Sequence, residues 1–134
     1  MSRRTGLFLT AIPLLLCMFF LAACGGGTKS EPSAQAVEAY LQALVAEDAN
    51  RLPSLVCKNF EQDARRELDS FIGVKASLKD MGCKTTSNEG GTTLVECQGA
   101  ILATYGNEQQ ELTLAGRTYQ VAQEGGEWRV CGYR

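Results

Sequence analysis

The apolar residues between positions 32 and 47 repeat with the period of a helix. They recur every three or four residues, a spacing that aligns them in one stripe on a helix: Val37, Tyr40, Leu41, Leu44 and Val45. Pro32 and the serines on either side of it are typical of a helix start, and a polar Asp-Ala-Asn stretch at 48–50 interrupts the pattern. The pattern predicts a first helix from about Pro32 to Glu47.

Two further helices are predicted before the middle of the chain. Residues 52–57 (LPSLVC) form a short helix, with Pro53 tolerated in its first turn. Asn59 is a candidate cap for a third helix, whose apolar residues are Phe60, Ala64, Leu68, Phe71 and Ile72. Val74, Leu78 and Met81 continue this spacing, and Gly82 stands where a helix C-cap belongs. Because Gly73 interrupts the run, it stays open whether residues 60–82 form one helix or two elements.

The second half of the chain has the composition of strands. Segments rich in Thr, Val, Leu and Tyr alternate with turns rich in Gly, Asn and acidic residues; the segments are 83–86, 93–105, 111–123 and 128–133. Helices followed by antiparallel strands are typical of the α+β class. We therefore expect residues 32–134 to form a single domain, in which two or three helices pack on a curved antiparallel sheet of about four strands.

The first 23 residues have the three parts of a secretory signal peptide. Arg3 and Arg4 precede an apolar run from Leu7 to Ala23, and small residues end it. The final tetrapeptide, Leu21-Ala22-Ala23-Cys24, resembles the lipobox of bacterial lipoproteins, in which the cysteine sulfur is acylated and becomes the first residue after cleavage. The run is also near the lower length limit of a membrane-spanning helix, so an uncleaved anchor is the alternative.

This resemblance implies a location in the bacterial cell envelope. Cleavage would leave lipidated Cys24, with residues 24–31 as a flexible tether. The mature protein would then be extracytoplasmic and anchored to a membrane by its acyl chains.

Charge and composition exclude several functions. Removing residues 1–23 leaves 111 of the 134 residues, with 11 basic against 15 acidic side chains and a net charge of −4. Arg65-Arg66 is the one basic pair, and a solvent-exposed helix face explains it, so we expect no nucleic-acid binding. The chain has no histidine, which rules out Ser-His and Cys-His nucleophile pairs. Among the carboxylates, Glu96, Glu108 and Glu111 are expected to be solvent-exposed.

Four cysteines remain in the mature chain: Cys57, Cys83, Cys97 and Cys131. An even number outside the cytoplasm is typical of disulfides, and close Cys-x-x-Cys pairs that would indicate zinc are missing. Sequence alone does not choose among the three possible pairings. Cys83 and Cys97 lie at equal distances from Gly90 in a turn-rich stretch, which favours a bridge across a hairpin. Cys57 would then join Cys131.

The chain resembles a known superfamily in two regions. The end of the first helix, with the second helix after it, is one region (40–57), and the segment GGEWRVC at 125–131 is the other. Both are similar to small bacterial lipoproteins of the nuclear transport factor 2-like (cystatin-like cone) superfamily, in branches without an assigned function. The resemblance covers roughly Ala36 to Arg134. It implies helices that lean on a bent sheet to form a cone whose mouth can hold a ligand, and it implies that Cys57 and Cys131 both face the core.

These observations lead to one functional expectation and two alternatives. We expect a non-enzymatic, membrane-tethered lipoprotein that binds another envelope protein and needs no cofactor or metal. The first alternative is a carrier of a small apolar ligand in the cone, and any pocket wall is expected to be largely apolar. The second alternative is a small-molecule enzyme of the same fold, although Tyr40 and Trp128 are expected to serve as core residues. The sequence does not predict the oligomeric state.

Overall fold

The computed structural model describes residues 30–134. The predicted signal peptide, Cys24 and most of the tether lie outside the described residues. Three helices come first in the described chain and five strands follow: α1 (Pro32–Val45), α2 (Leu52–Leu55), α3 (Glu61–Asp69), β1 (Lys75–Glu89), β2 (Thr92–Tyr105), β3 (Glu108–Thr113), β4 (Thr118–Glu124) and β5 (Glu127–Tyr133). Within residues 30–134, no helix has the length and apolar character needed to cross a membrane.

The five strands form one antiparallel sheet in the order β1-β2-β4-β5, and β3 also pairs with β2. Strands β3 and β4 follow one another along the same side of β2, opposite residues 100–105 and 93–96. Between these two stretches, Gly99 has a φ of +89°, and the pairing of β1 with β2 shifts register after Lys79. Such a bulge bends and twists a strand. The α+β class is therefore confirmed, with three helices and with five strands rather than about four.

The apolar stripe of α1 packs on the sheet as predicted. Its Val37, Tyr40, Leu41 and Leu44 are fully buried against a core that includes Val95, Val121 and Val130. Polar contacts also fasten the helix to β1, because the hydroxyls of Ser33 and Thr85 lie 2.8 Å apart. The backbone N–H of Cys83 donates to Glu38 at 3.1 Å. α1 is therefore held along both its apolar face and its edge.

Residues 60–82, for which the sequence left open one helix or two elements, contain a helix and the start of a strand. Helix α3 ends at Asp69, and Gly73, with a φ of +76°, precedes the start of β1 at Lys75. Leu78 and Met81 lie in that strand, where Leu78 pairs with Ile101. The N-cap of α3 is Phe60 rather than Asn59, and no side chain caps it.

The segment 111–123, which the sequence analysis treats as one strand, is two strands. Strand β3 ends at Thr113 and β4 begins at Thr118. Leu114 is buried between them, and its N–H donates to the carbonyl of Gly99 at 2.9 Å. The break in the β3–β4 segment therefore lies opposite the irregularity in β2.

Two disulfides tie the elements together in the pairs that the sequence analysis favours. Cys57 is bridged to Cys131 with their Cα atoms 4.7 Å apart, and Cys83 to Cys97 with theirs 4.1 Å apart. The second pair lies directly opposite in the β1–β2 ladder. The first pair stands beside a backbone contact in which the N–H of Cys57 donates to the carbonyl of Val130 at 2.8 Å. The segment after α2 is thus joined to β5 both covalently and through the backbone.

Candidate functional site

An open cleft of about 760 Å³ lies between α3 and the end of the sheet where β5 finishes. We call it the α3 cleft. One wall comes from α3 and the residues beside it, and the other from the ends of β3 and β5 with the loop before β4. Its lining residues are Asn59, Phe60, Asp63, Arg66, Glu67, Ser70, Phe71, Leu112, Arg117, Cys131, Gly132 and Tyr133. Six of these residues have a charged, amide or aliphatic hydroxyl side chain, and Tyr133 adds a phenol. The expectation of a largely apolar pocket wall is therefore wrong.

A hydrogen-bonded chain of three side chains forms the back of the cleft. The hydroxyl of Tyr40, from α1, donates to Oε2 of Glu67 at 2.5 Å. Nη1 of Arg117, from the loop before β4, donates to Oε1 of the same carboxylate at 2.9 Å. The Glu67 side chain is only 16% exposed, whereas that of Arg117 is 41% exposed. Glu67 therefore lies behind Arg117, and Arg117 is the member of the chain that solvent reaches.

Aromatic rings hold this chain in position. The guanidinium carbon of Arg117 lies 4.5 Å from the centre of the Tyr133 ring, a cation–π contact. Tyr133 in turn makes edge-on contacts with Phe60 at 6.0 Å and with Tyr119 at 5.7 Å between ring centres. A planar guanidinium stacked on a packed ring loses little further freedom on binding. The aromatic cluster therefore orients Arg117 in advance.

The ionisation of these groups follows from burial and from their partners. Burial, together with the Glu67 carboxylate, raises the pKa of the Tyr40 hydroxyl well above its ordinary range. Burial also raises the pKa of Tyr119, and the nearby Arg117 charge offsets part of that effect. For Arg117, burial lowers the pKa, but the hydrogen bond and charge of Glu67 outweigh it and raise the pKa overall. At neutral pH the site contains neutral phenols and a charged guanidinium.

The Glu67 carboxylate is held by two donors from within the fold. Each oxygen of Glu67 already accepts a hydrogen bond, one from Tyr40 and one from Arg117. A general base needs an oxygen within hydrogen-bond reach of the substrate proton, and Glu67 faces its own partners instead. Its role is to position Arg117.

The carboxylates and cysteines singled out from the sequence lie apart from this network. Glu96, Glu108 and Glu111 are exposed, as expected, and Glu111 pairs with Lys79 at 3.1 Å. Of the four disulfide cysteines, Cys131 lines the α3 cleft. The Cys83–Cys97 bridge lines a separate cleft of about 660 Å³ beside the loop before β4. Cys24 lies outside the described residues.

Tyr40 is fully buried in the core, as expected, and it also takes part in the site. Trp128 is partly buried and packs against the core, in agreement with its expected role. Among residues 30–134, no group of three or more His, Cys, Asp or Glu side chains could hold a metal ion.

The sequence analysis missed Glu67 and Arg117, the two charged residues at the centre of the site. A signal for Glu67 exists in the helical spacing. It falls three residues after Ala64 and four before Phe71, within the buried stripe of α3. A charged residue on a buried stripe needs a partner. No comparable local pattern marks Arg117, because its partner is fifty positions away.

No protein-family model and no curated protein matches the sequence. Solved structures that match this chain include the following three. RPA3114, a SEC-C motif containing protein from Rhodopseudomonas palustris, aligns with a TM-score of 0.51 and 13% identity, over 80% of this chain and 81% of that one. The designed protein Rd1NTF2_05, with five substitutions, aligns with a TM-score of 0.47 and 12% identity, over 75% of this chain and 92% of that one. The helical cell shape determining protein Pgp2 from Campylobacter jejuni, in mutant form, aligns with a TM-score of 0.49 and 15% identity, over 74% of this chain and 38% of that one. At these identities the similarity to RPA3114 concerns the fold alone.

Proposed function

We propose that this chain is a bacterial lipoprotein whose extracytoplasmic domain, a cone of the nuclear transport factor 2-like type, binds another envelope protein without catalysing a reaction. The lipobox-like sequence 21–24 supports the anchor. Two disulfides, one across the β1–β2 hairpin and one between the segment after α2 and β5, support an oxidising compartment. The mixed lining of the α3 cleft supports the binding of a protein.

The observation that carries this proposal is the α3 cleft, which is open and combines aromatic rings with ion-paired charges. Sites for small apolar ligands are usually enclosed and lined mainly by hydrophobic side chains. Protein interfaces instead combine aromatic and arginine anchors with a polar rim. Tyr133 and Arg117 would be the anchors, and the pair formed by Asp63 and Arg66 would belong to the rim. A segment of a partner protein fits this lining better than an apolar ligand does.

Position-dependent photo-crosslinking tests where the partner binds. A photoreactive phenylalanine analogue at Leu112, which is 39% exposed and lines the cleft, should crosslink to one defined envelope protein in living cells. The same analogue at Ser87, exposed in β1 and outside the cleft lining, is the matched control. Adducts of the same protein in equal yield from both positions, or none from Leu112, would contradict the proposal.

The anchor has its own test. Replacing Cys24 with Ala should abolish membrane association and leave an unprocessed precursor, because the thiol that receives the lipid is then missing. Intact-mass measurement of the wild-type mature protein should show a diacylated or triacylated Cys24. A mature amino terminus upstream of position 24 with no acyl mass would rule out the lipoprotein assignment.

A further inference from the structure

Arg117 has hydrogen-bonding capacity that the described chain leaves unused. A guanidinium carries five N–H donors, and in residues 30–134 Arg117 donates to Oε1 of Glu67 at 2.9 Å and lies beside the Tyr119 hydroxyl, which leaves further donors unused. The Tyr133 ring covers one face of the guanidinium, which leaves its edge as the route by which an acceptor can approach. The side chain is 41% exposed and lines both the α3 cleft and the cleft beside the Cys83–Cys97 bridge, so solvent reaches it between the two.

A second polar group beside Arg117 has an unused hydrogen. The Tyr119 hydroxyl is buried and no acceptor lies within hydrogen-bond distance of it in residues 30–134; the neighbouring Arg117 can only donate to it. It is near enough to Arg117 and Glu67 for both charges to act on it. A buried hydroxyl hydrogen without an acceptor costs about 1–3 kcal/mol. Because Tyr119 is fully buried and does not line the cleft, the donors that an acceptor in the cleft can reach are those of Arg117.

The charges around the cleft restrict which acceptor suits these donors. Glu67 is paired with Arg117, and Asp63 is paired with Arg66, so the four charged lining residues balance. A dianion such as phosphate would meet two carboxylates without an excess of positive charge. A carboxylate carries one negative charge and matches the planar guanidinium edge with two parallel hydrogen bonds.

We propose that Arg117 is a carboxylate-binding group, which hydrogen-bonds through its free edge to a side-chain or C-terminal carboxylate of the polypeptide in the α3 cleft. Glu67 and Tyr133 act as positioning residues, one from behind the guanidinium and one from its face. The carboxylate chemistry rests on the geometry of Arg117, whereas the polypeptide source rests on the proposed function.

The chemistry can be tested on the mature lipidated protein in detergent micelles, without knowledge of the partner. Acetate is titrated at constant ionic strength while the side-chain Nε–H resonances of the arginines are followed by NMR. We expect a saturable shift at Arg117 and none at Arg65, which is exposed on α3 outside the cleft lining. Acetamide, the uncharged analogue, should produce no saturable shift. Equal responses to acetamide, non-saturating shifts of the same size at both arginines, or tighter binding of inorganic phosphate would overturn the proposal.

Variants connect this chemistry to the partner. Because Arg117→Gln alone would leave the Glu67 carboxylate buried and unpaired, the double variant Glu67→Gln/Arg117→Gln is used, with Arg117→Lys as a second variant that keeps the charge. The yield of the Leu112 crosslink should fall about tenfold or more in the double variant, since hydrogen bonds to charged groups contribute about 1.5–3 kcal/mol. Arg65→Gln, the matched control, should retain the wild-type yield.

The two proposals fail in different ways. An undiminished crosslink in both Arg117 variants would overturn the carboxylate site and leave the partner-binding function intact. If the wild-type protein gives no Leu112 crosslink, the partner-binding function fails, and the acetate titration still decides whether Arg117 binds carboxylates.

Discussion

Loss of the Cys57–Cys131 bridge should destabilise the domain more than loss of the Cys83–Cys97 bridge. The two bridges span 74 and 14 residues of sequence, respectively. In the chain-entropy treatment, a cross-link lowers the entropy of the unfolded chain by an amount that grows with the logarithm of the loop length. For these loops it gives about 4.5 and about 3 kcal/mol at 25 °C, a difference of about 1.5 kcal/mol. Such a difference is a sizeable share of the stability of a small domain.

The measurement compares two double variants, each with one cysteine pair replaced by alanine and the other bridge intact. Cys57, Cys83 and Cys97 are buried and Cys131 is partly buried, so lost packing should cost no more in the variant that lacks the long bridge. Urea unfolding should give the lower free energy of unfolding for the variant that lacks the long bridge. Equal stabilities, or the reverse order, would refute the entropic reasoning. Peptide mapping of the unreduced wild-type protein is the control for connectivity, and a linked peptide joining Cys57 to Cys83 or Cys97 would contradict the pairing itself.

Two other positions give sharp expectations. Gly99→Ala should lower the free energy of unfolding in urea by more than about 2 kcal/mol, because its Cβ would lie 2.5 Å from two backbone carbonyl oxygens of β1, in addition to the cost of a positive φ. The control is Gly125→Ala, which has a φ of +63° and open space around it and should lose only about 1–2 kcal/mol. Equal losses in the two variants would contradict the clash. Tyr40→Phe should lose about 1–3 kcal/mol, because Glu67 is left with one donor fewer. The raised pKa of Tyr40 means that its contribution is present below its ordinary value of 10.0 and is lost as the pH rises above it. The stability of the wild type should therefore fall more steeply than that of Tyr40→Phe above pH 10, and parallel pH profiles would exclude this linkage.

The helix-first, strand-second order could be predicted because periodicity is a local property. The stripe of α1 is visible in the sequence since its members all face one sheet. The element after Gly73 stayed open because Val74, Leu78 and Met81 fit two periods. Their intervals of four and three suit a helix, but Val74, Ala76 and Leu78 also alternate with the exposed residues of a strand. Pairing with β2, which is a long-range interaction, decides between them in favour of β1.

The division between β3 and β4 illustrates a different limit. Residues 111–123 have the composition of one continuous strand, and nothing in the segment itself requires a break at Ala115-Gly116-Arg117. The cause lies in β2, where the positive φ of Gly99 and the register shift of β1 interrupt the ladder. Opposite this interruption the β3–β4 segment sets four residues, 114–117, against three of β2, 97–99, so the regular ladder breaks there. The break also carries Arg117 to the mouth of the α3 cleft, so the same irregularity that was invisible from the sequence positions the central residue of the site.

Composition argues against some classes of site but does not identify the residues of the candidate site. The lack of histidine and of close cysteine pairs argued against nucleophilic and metal-dependent candidates, but it left the tyrosines and single charges without a role. Glu67 acquires one only when α3 packs against α1, because Tyr40 must lie on the facing helix to donate to it. Arg117 gains its role only in the folded sheet, where it lies beside Glu67, fifty positions away in the sequence, and over the ring of Tyr133. Because the site is assembled from single residues on four separate elements, it has no sequence motif. Substitutions at Arg117 and Glu67 are therefore the direct test of what the site binds.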